Sequence, residues 1–188
     1  SKFKSFFDKD KISKNYAKKN GVKQEDVLAE WKRKADESRV MGTYVHRVFE
    51  EYILNNTIID CSKYKKCKVA LKFISDYFLS GNLTPIETEF IVYNDKYAGQ
   101  IDCIAKNKRG EYFILDWKTN KEINSNNRWK SMSGIFDIYD DCNLTHYSIQ
   151  LRAYQKMCKE YKIKNCYIVH LKDDDYEFIE ARNIEPFY

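Results

Sequence analysis

No apolar run in the chain approaches the roughly 20 residues needed for a membrane span, and its lysine-rich start lacks the apolar core of a signal peptide. A soluble, intracellular chain is expected. Cysteines stand at positions 61, 67, 103, 142, 158 and 166, yet they form no C-x-x-C pair and no compact Cys/His cluster. That excludes the usual zinc frameworks. Several of these cysteines lie inside apolar runs, so buried free thiols in a reducing compartment are expected. There is no glycine-rich phosphate loop, no internal repeat and no low-complexity linker.

What is present is globular usage. The 188 residues are 43% apolar and 32% charged, with 15 Tyr and 11 Phe. Length predicts a single domain, mainly helical over 1–80 and a sheet core over 81–188. The net charge of +5, from 33 basic and 28 acidic residues, permits a nucleic-acid partner without requiring one. Lysines crowd SKFKSFFDKDKISKNYAKKNGVK and recur in SKYKKCK, residues 62–68. Each cluster reads as a solvated surface or as a phosphate-binding track.

From 24 to 55 apolar positions recur at helical spacing, first Val27, Leu28 and Trp31, then Val45, Val48, Phe49, Tyr52 and Ile53. This predicts two helices, or one broken near Gly42. Helical character continues over 64–79, stops at SGN, and is ended by Pro85. Residues 86–93, 97–105 and 112–117 are β-branched and aromatic, separated by the turn formers ND and NKRG, and predict an antiparallel meander. Residues 120–141 read as a long loop with one short helical turn. In it Trp129, Phe136 and Tyr139 could stack on single-stranded bases or form a small loop core. Helix returns over 146–161, and 166–171 and 176–179 finish as strands. This order predicts a mixed α/β core with helices against a sheet.

The residues that could carry chemistry begin on the meander. Side chains alternate along a strand, so Asp116 and Lys118 share a face. If 97–105 pairs with 112–117 through the 106–110 turn, counting along the hairpin brings Asp102 near Asp116. Two carboxylates and an ammonium on one patch suit a hard divalent cation, and equally an ordinary cross-strand ion pair. In GTYVHRVFEEYI, residues 42–53, His46 and Glu50 stand four apart on one helical face. His can complete a carboxylate metal site, and such a pair also forms plain surface hydrogen bonds. In QLRAY, Gln150 and Tyr154 share a helix face and can bond phosphate oxygens or stack on a base.

Taken in chain order, H-x-x-x-E, G-x-I-D, D-x-K and Q-x-x-x-Y make the sequence resemble the RecB-like branch of the PD-(D/E)xK nucleases. The resemblance runs through AEWKRKADESRVMGTYVHRVFE, ETEFIVYNDKYAGQID, FILDWKT and YSIQLRAY, which is most of the chain. It implies a restriction-endonuclease-like α+β core, a mixed central sheet flanked by helices with an N-terminal helical region. It further implies a Mg²⁺- or Mn²⁺-dependent deoxyribonuclease, an exonuclease in DNA recombination, repair or replication. Carried over by position, His46, Asp102 and Asp116 become metal ligands with the Trp117 main-chain carbonyl. Lys118 becomes the catalytic lysine, with Glu50 beside the site in a supporting role. Gln150 and Tyr154 position the DNA backbone, and Glu89 matches an acidic position without an assigned role.

The partners so implied are DNA, single-stranded or at duplex ends, and a helicase or recombinase, in the cytosol of a bacterium or of a phage-infected host. Lysines near the N-terminus, with Lys106, Lys108 and Arg109, would attract the backbone. The proline of the family name is absent, since Ile101 precedes Asp102, but this branch commonly has G-x-x-D there. The cysteine pattern of iron-sulfur members is also absent, so no cluster is expected. The rival reading is a catalytically silent nucleic-acid-binding subunit of a helicase or recombination complex. The intact set of Asp102, Asp116, Lys118, His46 and Gln150 argues against it.

Overall fold

A computed structural model describes residues 8–185; Lys2 and Lys4 of the basic start lie outside the described residues. The chain divides into two compact units, Ser1–Met41 and Gly42–Tyr188. In the first, α1 spans Lys9–Asn20, a helix that lysine content alone did not announce. The Asp8 carboxylate caps it by accepting the Lys11 N–H at 2.9 Å, and Gly21, at φ +66°, ends it by returning its N–H to the Ala17 carbonyl. Gln24, which opens α2 (Gln24–Asn55), donates to Asp10 Oδ1 at 2.8 Å and Ser13 Oγ at 3.0 Å. Tyr16 and Trp31 meet edge to face at 6.2 Å. Polar and aromatic contacts together close this helical pair.

The break expected near Gly42 does not occur, because α2 is one helix of 32 residues. A lone glycine costs a helix about 1 kcal/mol, which the apolar stripe on either side offsets. Gly42 instead permits a close approach, since a Cβ there would lie 3.3 Å from Thr119 Oγ1.

The second unit is built on a five-stranded mixed sheet in chain order. β1 (Leu83–Tyr93), β2 (Ala98–Asn107) and β3 (Tyr112–Lys118) form the expected antiparallel meander. Pro85, which has no N–H to give a ladder, sits on the edge strand β1 beside a register shift. The β2–β3 turn is closed by Asn107 Oδ1, which accepts from the N–H groups of Arg109 and Glu111 at 2.9 and 3.0 Å. The helix α4 (Asn143–Met157) then carries the chain to β4 (Ile163–Leu171), parallel to β3, and β5 (Tyr176–Glu180) pairs antiparallel at the far edge. Between β3 and α4 lies the long irregular stretch, with a single 3₁₀ turn at Gly134–Phe136 among the described residues. Trp129 is almost fully exposed there, whereas Phe136 and Tyr139 are half-buried.

Each face of the sheet carries its own core. Val45, Val48 and Phe49 of α2 pack with Cys67, Ala70 and Phe73 of α3 (Lys65–Phe73) on Cys103, Leu115, Trp117 and Val169. On the other face Leu144, Leu151 and Met157 of α4 cover Ile104, Ile114, Cys166 and Ile168. The fold is α+β, with helices flanking a mixed sheet and an N-terminal helical region. All six cysteines are buried free thiols. No helix among the described residues is long and apolar enough to cross a membrane.

Candidate metal centre

The site begins where β2 and β3 part. Their ladder ends at Cys103 opposite Leu115. Two residues on, the Trp117 N–H is taken by the Asp102 carboxylate, Oδ2 at 2.8 Å. A side chain therefore replaces a main-chain acceptor, and Asp102 and Asp116 stand at the open fork. The helix α2 reaches the same point through stacking. Phe49 lies flat on the Trp117 indole, 3.8 Å between centroids and 8° apart, and His46, one turn earlier, brings Nε2 to 3.1 Å from the Trp117 carbonyl.

A carbonyl can only accept, so His46 Nε2 carries the proton and Nδ1 keeps its lone pair. That lone pair lies 3.7 Å from Asp102 Oδ1. Glu89 completes the group: His46, Glu89 and Asp102 each offer one ligand atom, all within 4.8 Å of one another. Glu89 stands across from Asp102, between the pairs Thr88–Cys103 and Phe90–Ile101, at φ +52°. Holding a glutamate in the left-handed region costs about 1 kcal/mol or more, and strain of this kind gathers at functional sites.

Asp116 is placed differently from the other acids. Lys118 Nζ lies 2.5 Å from its Oδ2, with side-chain exposures of 19% and 5%. Despite that approach, Oδ2 is buried without a well-formed hydrogen bond. Burial also pushes the Asp102 carboxyl well above the usual range, helped by the charge of Asp116. Burial raises Asp116 too, against the pull of Lys118, and raises Glu89. His46 is held below its ordinary value by burial and by the Lys118 charge. Burial opposes the charge on Lys118, but Asp116 and Asp102 outweigh it and keep the ammonium protonated above its usual value. Asp102 and Asp116 share one lysine, and a neutral imidazole turns its Nδ1 toward Asp102. Acceptors so gathered fit a divalent cation.

Of the remaining expected side chains among the described residues, only Glu50 is tied to this centre by an electrostatic interaction. Glu50, one turn beyond His46, is close enough for its charge to raise Glu89. Gln150 Nε2 donates to Tyr154 Oη at 2.8 Å, and the Tyr154 ring lies against Gly99, where a Cβ would collide with it. The Trp117 carbonyl, expected as a ligand, accepts from His46 Nε2 at 3.1 Å and keeps a second lone pair. Lys106, Lys108 and Arg109 sit at or near the β2–β3 turn, the opposite end of that ladder from Asp102.

Lys66 belongs neither to a solvated surface nor to a phosphate track. It is 6% exposed, and its ammonium donates to the carbonyls of Leu171 at 2.7 Å and Asn120 at 3.3 Å. Nothing in the run KKCK marks which lysine turns inward. Asn120, Tyr147 and His170, which meet near Lys118, were likewise invisible to spacing arguments.

No known family profile matches the chain. It is 25% identical over 114 residues to Uncharacterized protein UU146 of Ureaplasma parvum serovar 3, covering 56% of this chain and 55% of that protein. The chain thus spans about half the length of that curated relative. The crystal structure of SSO0001 matches with a TM-score of 0.34 and 20% identity, over 63% of this chain and 50% of that one. Neither likeness assigns a family.

Proposed function

We propose that the protein is a metal-dependent deoxyribonuclease of the RecB-like kind. The observation that carries this reading is the meeting of His46, Glu89 and Asp102 within 4.8 Å beside the buried Asp116–Lys118 pair. His46, Glu89 and Asp102 would hold Mg²⁺ or Mn²⁺, and Asp116 stands next to them as a further oxygen donor. When bound, the cation supplies Lewis acidity toward water and phosphate oxygens.

The chain's own residues supply the rest. Lys118, kept charged by the acids around it, serves as a donor to phosphate oxygens rather than as a base, and offsets charge as the phosphodiester is attacked in line. His46 and Trp117 tie α2 to β3 and so fix where the acids sit. Gln150, exposed on α4 and bonded to Tyr154, would offer its carbonyl oxygen and remaining amide hydrogen to the sugar-phosphate backbone. The choice of an exonuclease, and of a helicase or recombinase as companion, follows from the family resemblance alone.

The test is cleavage of 5′- and 3′-end-labelled single- and double-stranded DNA in Mg²⁺, Mn²⁺ or EDTA. Cleavage that needs metal, and that drops by about 100-fold or more in Asp116→Ala and Lys118→Ala, is expected, and the label pattern gives the polarity. Retained DNA binding with no cleavage under either metal would replace this reading with the silent binding subunit.

A further inference from the structure

We infer that Tyr147 is the positioning residue for the Lys118 ammonium, acting from a clamp centred on Asn120. What Lys118 then does rests on the nuclease reading above; where it is held does not.

Lys118 Nζ has two neighbours of different kinds. One is Asp116 Oδ2 at 2.5 Å, and the other is the face of the Tyr147 ring, 4.9 Å from Nζ to centroid. A carboxylate alone would draw the ammonium onto itself and occupy its N–H groups. An aromatic face attracts the cation through its quadrupole without adding a negative charge. The ammonium, kept charged by Asp116 and Asp102, is thus held from a second side with N–H groups left over for a phosphate oxygen.

The ring itself is tied down. Tyr147 Oη donates to Asn120 Oδ1 at 2.9 Å, and Asn120 follows Lys118 by only two residues. The main-chain carbonyl of Asn120 lies 2.9 Å from His170 Nε2 and 3.3 Å from the buried Lys66 Nζ. His170 lies beside Lys118 in the parallel β3–β4 register, and Lys66 also donates to Leu171 of β4. Two buried donors thus pin the chain just past β3. That pinned residue holds the hydroxyl of the tyrosine whose ring faces the lysine. One side chain of α4 in this way sets the register between α4 and the end of β3.

Tyr147→Phe and Asn120→Ala each keep the ring and remove the tether, whereas Tyr147→Leu removes both. The first readout needs only the folded protein: proton-carbon NMR of the lysine side chains, with Lys118 identified by its loss in Lys118→Arg. An upfield ring-current shift of the Lys118 ε-protons is expected in the native protein, reduced in the two tether variants and absent in Tyr147→Leu. No upfield shift in the native protein, or an unchanged one in Tyr147→Leu, overturns the inference whether or not DNA is cut.

The second readout is cleavage. Tyr147→Leu is expected to lower kcat by roughly 10- to 100-fold with KM within about twofold, and Tyr147→Phe to recover most of the loss. A rise in KM at unchanged kcat would make Tyr147 a DNA contact and overturn the positioning role. If the native protein cuts nothing, the nuclease reading falls and the NMR result alone decides the clamp. If Tyr147→Leu does not fold, the tether variants decide through the shift, and an undiminished shift in both overturns it.

Discussion

Glu89 is where local preference and the site pull in opposite directions. Its backbone sits at φ +52°, a conformation that glycine adopts freely and glutamate does not. Glu89→Gly should raise stability by about 1 kcal/mol, the relieved strain exceeding the added chain entropy. On the proposed function, Mn²⁺ should raise the Tm of the native protein and the same change should abolish that rise, because Glu89 would be one of the ligands. Thermal unfolding in EDTA and in Mn²⁺ checks both halves. A variant that gains nothing in EDTA, or that still responds fully to Mn²⁺, contradicts the assignment. Much of this centre was legible beforehand. Asp102 falls across the fork from Asp116 because hairpin pairing follows from turn position and alternation. The part played by Glu89 was not, since its left-handed turn depends on where β1 meets β2 and on no local propensity.

At the level of elements, β2 and α4 approach most tightly at Gly99 and Tyr154. Gly99 lies so near the Tyr154 ring that a methyl group would collide with it, and Tyr154 accepts the Gln150 bond at 2.8 Å. Gly99→Ala should therefore displace the ring and cost about 1–3 kcal/mol as overpacking; on the proposed function, in which Gln150 meets the DNA backbone, it should also weaken DNA binding several-fold. Chemical denaturation and DNA titration measure the two effects. Stability and affinity both within experimental error of the native protein would show that Tyr154 swings aside freely. The strands and α4 were readable from their periodicity. Gly42 misled because a glycine inside a helical pattern looks the same whether it breaks the helix or, as here, makes room for Thr119.

For the molecule as a whole, ion pairs on Asp141 help to hold the stretch between β3 and α4. The Asp141 carboxylate meets Lys130 at 2.5 Å and His146 at 2.7 Å, and these bonds, Lys130 first, hold it below the usual carboxylate range. A depressed folded pKa stabilises above the unfolded value of about 3.9 and loses that contribution as pH falls through the folded value. Acidification below about pH 4 should thus loosen residues 124–146. NMR amide shifts followed from pH 7 to pH 3 test this, and an acid transition of equal size in Asp141→Asn would contradict it. By itself the amino-acid order determined the α+β class, the meander, and the chemical identity of His46, Asp102, Asp116 and Lys118, because periodicity, turn residues and side-chain type are local properties. Only the tertiary structure decided that Glu89 joins His46 and Asp102, that Lys66 is buried, and that Tyr147 faces Lys118. Those facts depend on which surfaces pack together, and one residue's neighbours along the chain do not encode its neighbours in space.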